Sequence, residues 1–351
     1  MITFYPGPSK IYPQVEHYLS DAYKSGILSA NHRSDIFMEM LKKTTDNLKY
    51  KLDIPADYEV YFVSSATECW EIIAQSLITH SSLHIYNGAF GEKWLEYTHK
   101  IRPDSSGFSF DLNEIPNLDD AGITADHEMI CVTHNETSNG TALPVSFLTD
   151  LRRYTAKLIA VDATSSMGGA NLPWTAADVW YASVQKCFGL PAGMGVMVVS
   201  PDAILKAENV HDKSFYNSFL FMRENFLKFQ TPYTPNALGI YLLGRVMEHV
   251  EPIQQIAADI HERAENWYKF LGNNGYEVLV KNEAVRSDTV IAVNAERERV
   301  TQIKSKAKLS GFQLGNGYGK WKETTFRIAN FPAINETDIS LLRNFLFMLP
   351  H

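Results

Sequence analysis

The sequence predicts an α/β protein with a mainly parallel sheet, followed by a smaller α+β C-terminal domain. Strand-like and helix-like segments alternate through the first two-thirds of the chain, and after about residue 235 long amphipathic helices take over. The length of 351 residues also exceeds the usual size of one domain. We therefore expect domains at 1–235 and 236–351, divided in the proline-rich segment 231–236, and a segment of about residues 1–15 that could pack on the second domain.

The strand candidates of the first domain are short apolar segments. They are YEVYFV (58–63), SLHIYN (82–87), EMICVTH (128–134), KLIAVDA (157–163), DVWYASVQ (178–185) and GVMVVS (195–200). Helix candidates such as ATECWEIIAQSLI (66–78) and VSFLTDLRRYTA (145–156) lie between them. This alternation is typical of βαβ units in a sheet that is covered on both faces.

The C-terminal region combines helices with a few strands. Its helix candidates are 236–250, 253–274 and 336–349, and the last carries an apolar stripe that includes Ile339, Leu342 and Leu346. Strand candidates are DTVIAVN (288–294) and TTFRIAN (324–330). The mixture predicts an α+β unit.

Composition excludes several classes of function. The chain is 45% hydrophobic and 21% charged, and its net charge of −8 with no basic cluster argues against nucleic-acid or anionic-membrane partners. Three cysteines without CxxC spacing argue against a metal or redox site and indicate free thiols in a reducing compartment. The N-terminus resembles no signal peptide and no run of about 18 apolar residues occurs, so we expect a cytoplasmic protein that acts on small molecules.

Two charged residues follow apolar strands, at the edge of the sheet where ligands bind in open α/β folds. Asp162 ends KLIAVD, and Lys186 follows YASVQ and precedes a glycine-rich turn. Pyridoxal 5'-phosphate needs a lysine amine for its Schiff base and a carboxylate against its pyridinium nitrogen. An aspartate after a strand also commonly caps a turn, so this pair alone does not decide the function.

The segment Ser64–Glu68 has the composition of a phosphate-binding helix N-terminus. Small residues there leave backbone N–H groups accessible, and the helix dipole favours an anion. Ser65 and Glu68 also fit an S-x-x-E capping box, which is a purely structural explanation. Both interpretations can hold together.

Several longer motifs carry a family resemblance that runs over almost the whole chain. They are NHRS (31–34), NETSNG (135–140), VDATSSMGG (161–169) and SVQKCFGLPAGMGVMVVS (183–200). With them the chain resembles the class V aminotransferases, and among these the phosphoserine aminotransferases and the serine-pyruvate or alanine-glyoxylate enzymes. The resemblance implies the fold type I of pyridoxal phosphate enzymes and a ping-pong transamination.

The resemblance also implies roles for single residues. Lys186 would be the Schiff-base lysine, Asp162 the partner of the pyridine nitrogen, and Thr137 a donor near the ring hydroxyl. Phe90 would stack on the ring where phosphoserine aminotransferases have tryptophan. Further cofactor contacts would come from Ser65, Ala66, Thr67, Gln185, Gln230 and Thr231. Because the loop QTPYT (230–234) would come from a partner subunit, a homodimer with shared sites is expected.

The substrate residues are implied in the same way. Arg327 would pair with the substrate carboxylate, since a planar guanidinium binds a carboxylate through two hydrogen bonds. His32 and Arg33 would help to bind a substrate phosphate, with Ser34 as the N-cap of the helix that follows.

The identity of the substrate stays open at this point. The second cationic pair of the phosphoserine enzymes is replaced by Lys320 and Lys322. We expect O-phosphoserine with 2-oxoglutarate, a reaction of serine biosynthesis, and keep a serine-pyruvate or alanine-glyoxylate enzyme as the alternative. A lyase on the same scaffold is a further, less favoured alternative, and a cysteine desulfurase is disfavoured because no cysteine follows Cys187 and Gln185 replaces the usual histidine. A non-catalytic protein is disfavoured because Lys186 and Asp162 are both present.

Overall fold

The computed structural model describes residues 1–349 of the chain. Within these residues the strands are β1 (Ile2–Phe4), β2 (Glu59–Val63), β3 (Ser81–Tyr86), β4 (Ser106–Ser109), β5 (His127–Thr133), β6 (Asn135–Glu136), β7 (Thr141–Ala142), β8 (Leu158–Asp162), β9 (Val179–Ser183), β10 (Gly195–Val199), β11 (Glu277–Val278), β12 (Val290–Asn294), β13 (Phe312–Asn316) and β14 (Thr325–Ala329). The α-helices in the same range are α1 (Val15–Ser25), α2 (Asp35–Leu52), α3 (Ala66–Ser76), α4 (Ala89–Ile101), α5 (Val145–Tyr154), α6 (Pro201–Val210), α7 (Phe219–Phe226), α8 (Ala237–His249), α9 (Ile253–Asn273), α10 (Arg297–Leu309) and α11 (Glu336–Phe347).

The larger sheet, counted within residues 1–349, has seven strands in the order β2-β10-β9-β8-β5-β3-β4. Neighbouring strands in the series β4, β3, β5, β8 and β9 are parallel, as predicted. Every strand candidate of the first domain overlaps one strand of this sheet, to within one residue at its start. Strand β10 differs, because it runs antiparallel to both β9 and β2. The chain between β9 and β10 forms no helix, so it cannot make the long crossover that a parallel partner requires.

Helices cover both faces of this sheet. Alternate residues of each strand point to opposite faces, so in β2 Val60 belongs to one apolar cluster and Tyr61 to the other. The first cluster includes apolar residues of α2, α5 and α8, and the second includes residues of α3, α6 and α7. The strands are therefore largely apolar, with Ser82 and His84 of β3 as buried polar residues inside a strand.

The smaller sheet, over the same residues, has five strands in the order β1-β13-β14-β12-β11 and packs against α9, α10 and α11. The N-terminal strand β1 joins it, with Ile2 paired to Phe312. Helix α8, although it follows residue 235, places Leu243 and Val246 in the core of the larger sheet. The domain boundary at 235 stays a prediction.

No helix within residues 1–349 is both long enough and apolar enough to span a membrane.

Candidate active site

A cavity of about 360 Å³ lies where β5, β8 and β9 end and where α3 and α4 begin. Its position follows the rule for open α/β sheets, in which ligands bind at the carboxyl ends of the strands. Of the residues predicted from the sequence, those that line it are Ala66, Thr67, Phe90, Thr137, Asp162, Gln185 and Lys186. These seven come from five separate segments of the sequence, and the fold brings them to one place.

Lys186 lies just after β9 with its amine buried in the cavity wall. Its Nζ donates hydrogen bonds to the carbonyl oxygen of Pro6 at 3.0 Å and to Thr137 Oγ1 at 3.1 Å. Burial and, to a lesser extent, the neighbouring Arg327 lower the pKa of Lys186 to about 8, while Asp162 acts in the opposite direction. A lysine of this kind has a much larger neutral fraction near neutral pH than an ordinary lysine, and the neutral amine is the nucleophile.

Asp162 is the last residue of β8 and is only 4% exposed. Its Oδ1 accepts a hydrogen bond from the backbone N–H of Thr164 at 2.8 Å. Burial raises the pKa of Asp162 to about 6, which the hydrogen bonds from Thr164 partly oppose. A carboxylate with this burial is stabilised by any cationic group placed against it.

Several buried polar atoms in the cavity wall lack a hydrogen-bond partner from the described residues. They include Thr133 Oγ1, Asn135 Nδ2 and Gln185 Oε1. Unpaired buried polar atoms cost roughly 1–3 kcal/mol each, so a site that concentrates them suits a polar ligand. The first turn of α3 adds backbone N–H groups at Ala66 and Thr67, which suit a phosphate.

These groups together fit pyridoxal 5'-phosphate. Lys186 can hold the cofactor covalently, Asp162 can face its ring nitrogen, and the start of α3 can hold its phosphate. Phe90, in the first turn of α4, has its ring centroid 5.6 Å from Lys186 Nζ. An aromatic ring therefore lies close to the amine that would carry the cofactor, in agreement with the stacking role that the sequence predicts for it.

The model of the family described as aminotransferase class-V matches residues 98–314. The chain belongs to the class V aminotransferases. A solved structure of a phosphoserine aminotransferase from Cytophaga hutchinsonii superposes with a TM-score of 0.92, at 35% identity over 98% of each chain. The phosphoserine aminotransferase of Rhodococcus opacus (strain B4) is 27% identical over 350 residues, which cover 96% of this chain and 91% of that protein.

An alanine–glyoxylate aminotransferase from Nostoc sp. has the same fold, with a TM-score of 0.84 at 18% identity over 99% of this chain and 94% of that one. The predictions of a pyridoxal phosphate enzyme of fold type I and of a transaminase are thus confirmed. The fold by itself does not choose among amino donors, because proteins with differently named substrates share it.

Glu136 is a site residue of this class V aminotransferase that sequence reasoning missed. Its carboxylate is 1% exposed and accepts hydrogen bonds from the backbone N–H groups of Phe90 and Gly91, both at 3.2 Å. Glu136 therefore satisfies the N-terminus of α4 and holds the backbone that carries the Phe90 ring. A Cβ added at Gly88 would lie 2.3 Å from the Glu136 side chain, so only glycine permits this approach. The sequence contained a signal for Glu136, since this residue lies inside NETSNG, one of the motifs that carry the family resemblance.

Arg327, on β14 of the smaller sheet, lies behind the cavity wall. Its Nε donates to the carbonyl oxygen of Asn316 at 2.7 Å and its Nη1 to that of Thr137 at 2.5 Å. The side chain is buried, and this burial lowers its pKa. Arg327 is thus joined through Thr137 to Lys186, and its role toward a substrate carboxylate stays a prediction.

The N-terminal segment also contributes to the site, which the sequence did not indicate. Besides the Pro6 carbonyl, Gly7 lines the cavity at a φ of +145°, a conformation that favours glycine. A Cβ at Gly7 would lie 3.0 Å from both Cε and Nζ of Lys186. The lysine amine is therefore enclosed by backbone from the start of the chain.

The other predicted cofactor residues lie outside the cavity of their own chain. Ser65 uses its hydroxyl to cap α3, accepting from the N–H of Glu68 at 3.1 Å, as the structural interpretation predicted. Thr231 donates from Oγ1 to the carbonyl oxygen of Tyr233 at 2.7 Å, and Gln230 Nε2 lies 3.4 Å from Met38 Sδ. Their roles toward the cofactor stay predictions.

The cationic candidates for a substrate phosphate do not line the cavity either. His32 and Arg33 precede α2, where Arg33 is exposed. Lys320 places its Nζ 4.6 Å from the Trp321 ring centroid. Ser34 is the N-cap residue of α2, as predicted, but its side chain makes no capping hydrogen bond. Its hydroxyl donates to the Asn31 carbonyl oxygen at 2.7 Å instead.

Proposed function

We propose that this chain is a phosphoserine aminotransferase that exchanges an amino group between O-phosphoserine and 2-oxoglutarate. The observation that carries the proposal is the likeness to the phosphoserine aminotransferase of Cytophaga hutchinsonii, at 35% identity over 98% of both chains. The alanine–glyoxylate enzyme, at 18% identity, supports the fold alone. The sequence-based preference for O-phosphoserine agrees with this difference.

Lys186 is the proton carrier of the proposed mechanism. Pyridoxal phosphate, when bound, supplies a conjugated ring that takes up the electron pair left when the substrate Cα loses its proton. Lys186 would hold the cofactor, and its Nζ, whose pKa in the chain itself is lowered to about 8, could act as a base when it is not bonded to the cofactor. Such a base would take the proton from the substrate Cα and return it two bonds away, at C4' of the cofactor.

Asp162 and Thr137 prepare the site for that transfer. The buried carboxylate of Asp162 favours a positive charge on the ring nitrogen, because removing that charge would leave the carboxylate unpaired in a poorly solvated place. Thr137 Oγ1 holds Lys186 Nζ at 3.1 Å and fixes the direction from which the amine approaches. Neither residue has to move during the reaction.

Arg327 is the proposed carboxylate-binding residue for both half-reactions. O-Phosphoserine and 2-oxoglutarate each carry a carboxylate next to the reacting carbon, so one guanidinium can orient both. Burial of Arg327 beside Thr137 supports this role, because a weakly hydrated guanidinium gains most from an anionic partner.

We also infer a homodimer in which the partner subunit completes each site. Gln230 and Thr231 lie outside the cavity of their own chain, as do His32 and Arg33. A symmetric dimer can bring such rim residues of one chain to the cavity of the other. The cytoplasmic location expected from the sequence also stays a prediction.

A donor and acceptor screen tests the proposed function. Purified protein supplied with pyridoxal phosphate is assayed with O-phosphoserine, serine and alanine against 2-oxoglutarate, pyruvate and glyoxylate. We expect the highest kcat/KM for O-phosphoserine with 2-oxoglutarate. No turnover of O-phosphoserine, together with turnover of serine or alanine, would assign the chain to the serine-pyruvate or alanine-glyoxylate branch.

A further inference from the structure

A second basic side chain lines the same cavity. The lysines in its wall are Lys186, which the cofactor requires, and Lys93, which no part of the mechanism has used. Lys93 is exposed at the cavity mouth, so it is accessible to an entering substrate. Lys320 and Lys322, the replacements suggested by the sequence, do not line this cavity.

Lys93 is tied to the aromatic residues that cover the site. It lies one helical turn after Phe90 on α4, so both side chains are on one face of the helix. Its Nζ donates to Tyr318 Oη at 2.7 Å, and the Tyr318 ring stacks on Phe90 at 5.1 Å with an interplanar angle of 24°. Lys93 is thereby held beside the ring that would cover the cofactor.

The Tyr318 ring has a cation on each of two sides. Lys93 Nζ lies 5.2 Å from the ring centroid, and the Arg327 guanidinium carbon lies 5.7 Å from it. The hydrogen bond with Tyr318 raises the pKa of Lys93, so its ammonium stays charged at neutral pH. Lys93 at the cavity mouth and Arg327 behind the cavity wall are therefore two separated positive charges with an aromatic ring between them.

We propose that Lys93 is a specificity-determining residue that receives the side-chain phosphate of the amino donor while Arg327 holds its carboxylate. The inference rests on the proposed function, since only a phosphorylated donor has two anionic ends. A phosphate dianion that leaves water needs cationic donors, and one ammonium has three N–H groups. Lys93 can therefore keep its bond to Tyr318 and still donate to a phosphate oxygen.

The proposal also explains why the chain can lack the second cationic pair of the phosphoserine enzymes. In their place the loop Gly317–Trp321 presents Tyr318, which fixes a lysine supplied by α4. Helix α4 thus supplies the positive charge of Lys93. The loop Gly317–Trp321 supplies only the hydrogen-bond acceptor, Tyr318, that orients this lysine.

Substitution of Lys93 by methionine tests the proposal, with Lys100→Met as the matched control. Lys100 lies on the same helix and contacts the Tyr97 ring at 4.1 Å, so its removal changes the net charge equally. We expect Lys93→Met to raise KM for O-phosphoserine about tenfold or more, as for loss of one charge-assisted hydrogen bond. KM for serine or alanine should stay within about twofold, and Lys93→Arg should restore most of the loss.

The outcomes separate the inference from the proposed function. A wild-type protein without O-phosphoserine turnover would overturn the proposed function and the inference with it. A wild type that turns over O-phosphoserine, combined with equal losses on O-phosphoserine and alanine in Lys93→Met, would overturn the inference alone. Equal effects of Lys93→Met and Lys100→Met would also overturn it, because a general electrostatic field would then explain the result.

Discussion

The floor and the rim of the candidate site are built in different ways. The floor consists of Lys186, Asp162 and Thr137, which are buried and lie at or just after the ends of strands. The rim candidates, His32, Arg33, Gln230 and Thr231, lie on loops and do not reach the cavity of their own chain. One chain thus holds the reactive groups in place by itself, whereas the residues that would close the site would have to come from the proposed partner subunit. Substitutions in the two regions should therefore differ in size and kind.

The largest effect is expected at the floor, for Lys186→Ala. The variant should lose the covalent link to the cofactor and essentially all turnover, since Lys93, the other lysine that lines the cavity in residues 1–349, is exposed and hydrogen-bonded to Tyr318. Borohydride reduction of the wild type followed by peptide mapping should find the label on Lys186. Label on Lys93, the other lysine of the cavity wall, would break the assignment of the floor.

A smaller but still large loss is expected for Asp162→Asn. The amide keeps the shape and the bond from Thr164 but cannot stabilise a charged ring nitrogen, so kcat should fall about a hundredfold or more. Stopped-flow measurement of the half-reaction with the amino donor checks this. Nearly wild-type turnover in a folded variant would exclude Asp162 from the reaction.

A moderate effect of another kind is expected at the rim. Thr231→Ala should raise the dissociation constant of the cofactor about tenfold, since one hydrogen bond to a charged phosphate is lost, while kcat at saturating cofactor changes little. Equilibrium binding at several protein concentrations measures it and also reports on dimerisation. Unchanged cofactor affinity would show that 230–234 is only a connecting segment.

The smallest effect is a shift in pH dependence. Attachment of the cofactor to cofactor-free protein requires the neutral amine, so its rate should rise with pH and level off above about 8, well below the ordinary lysine value of 10.5. Asp162 raises the pKa of Lys186, so Asp162→Asn should move this midpoint to lower pH, whereas Arg327→Met should move it to higher pH. Shifts in the same direction for both variants would contradict the electrostatic account of the floor.

The sequence predicted the floor well because local patterns determine it. Asp162 and Lys186 each follow an apolar strand, and parallel strands end at the same edge of a sheet, so their meeting follows from strand order. The helices were predicted to within a few residues; 66–78, for example, became α3 at 66–76. The mainly parallel sheet followed from the same alternation of strands and helices.

The sequence did not reveal contacts that depend on long-range packing. Pro6 and Gly7 reach Lys186 across 180 residues, and no local pattern signals which loop will enclose an amine. The antiparallel direction of β10 escaped notice because its apolar run is the same for either direction. The capping contact of Ser34 was also not predictable from the sequence. Its position as N-cap of α2 was predicted correctly, but its hydroxyl donates to the Asn31 carbonyl oxygen.

Because the N-terminal strand connects the smaller sheet to Lys186, the light absorption of a bound cofactor should depend on how the two sheets are arranged. Strand β1 is hydrogen-bonded into the smaller sheet, and two residues later the Pro6 carbonyl accepts from the lysine that emerges from the larger sheet. A displacement of the smaller sheet would pull on that carbonyl and change the polarity around Lys186. The visible absorption band of the bound cofactor should consequently respond to sheet movement, without any added fluorophore.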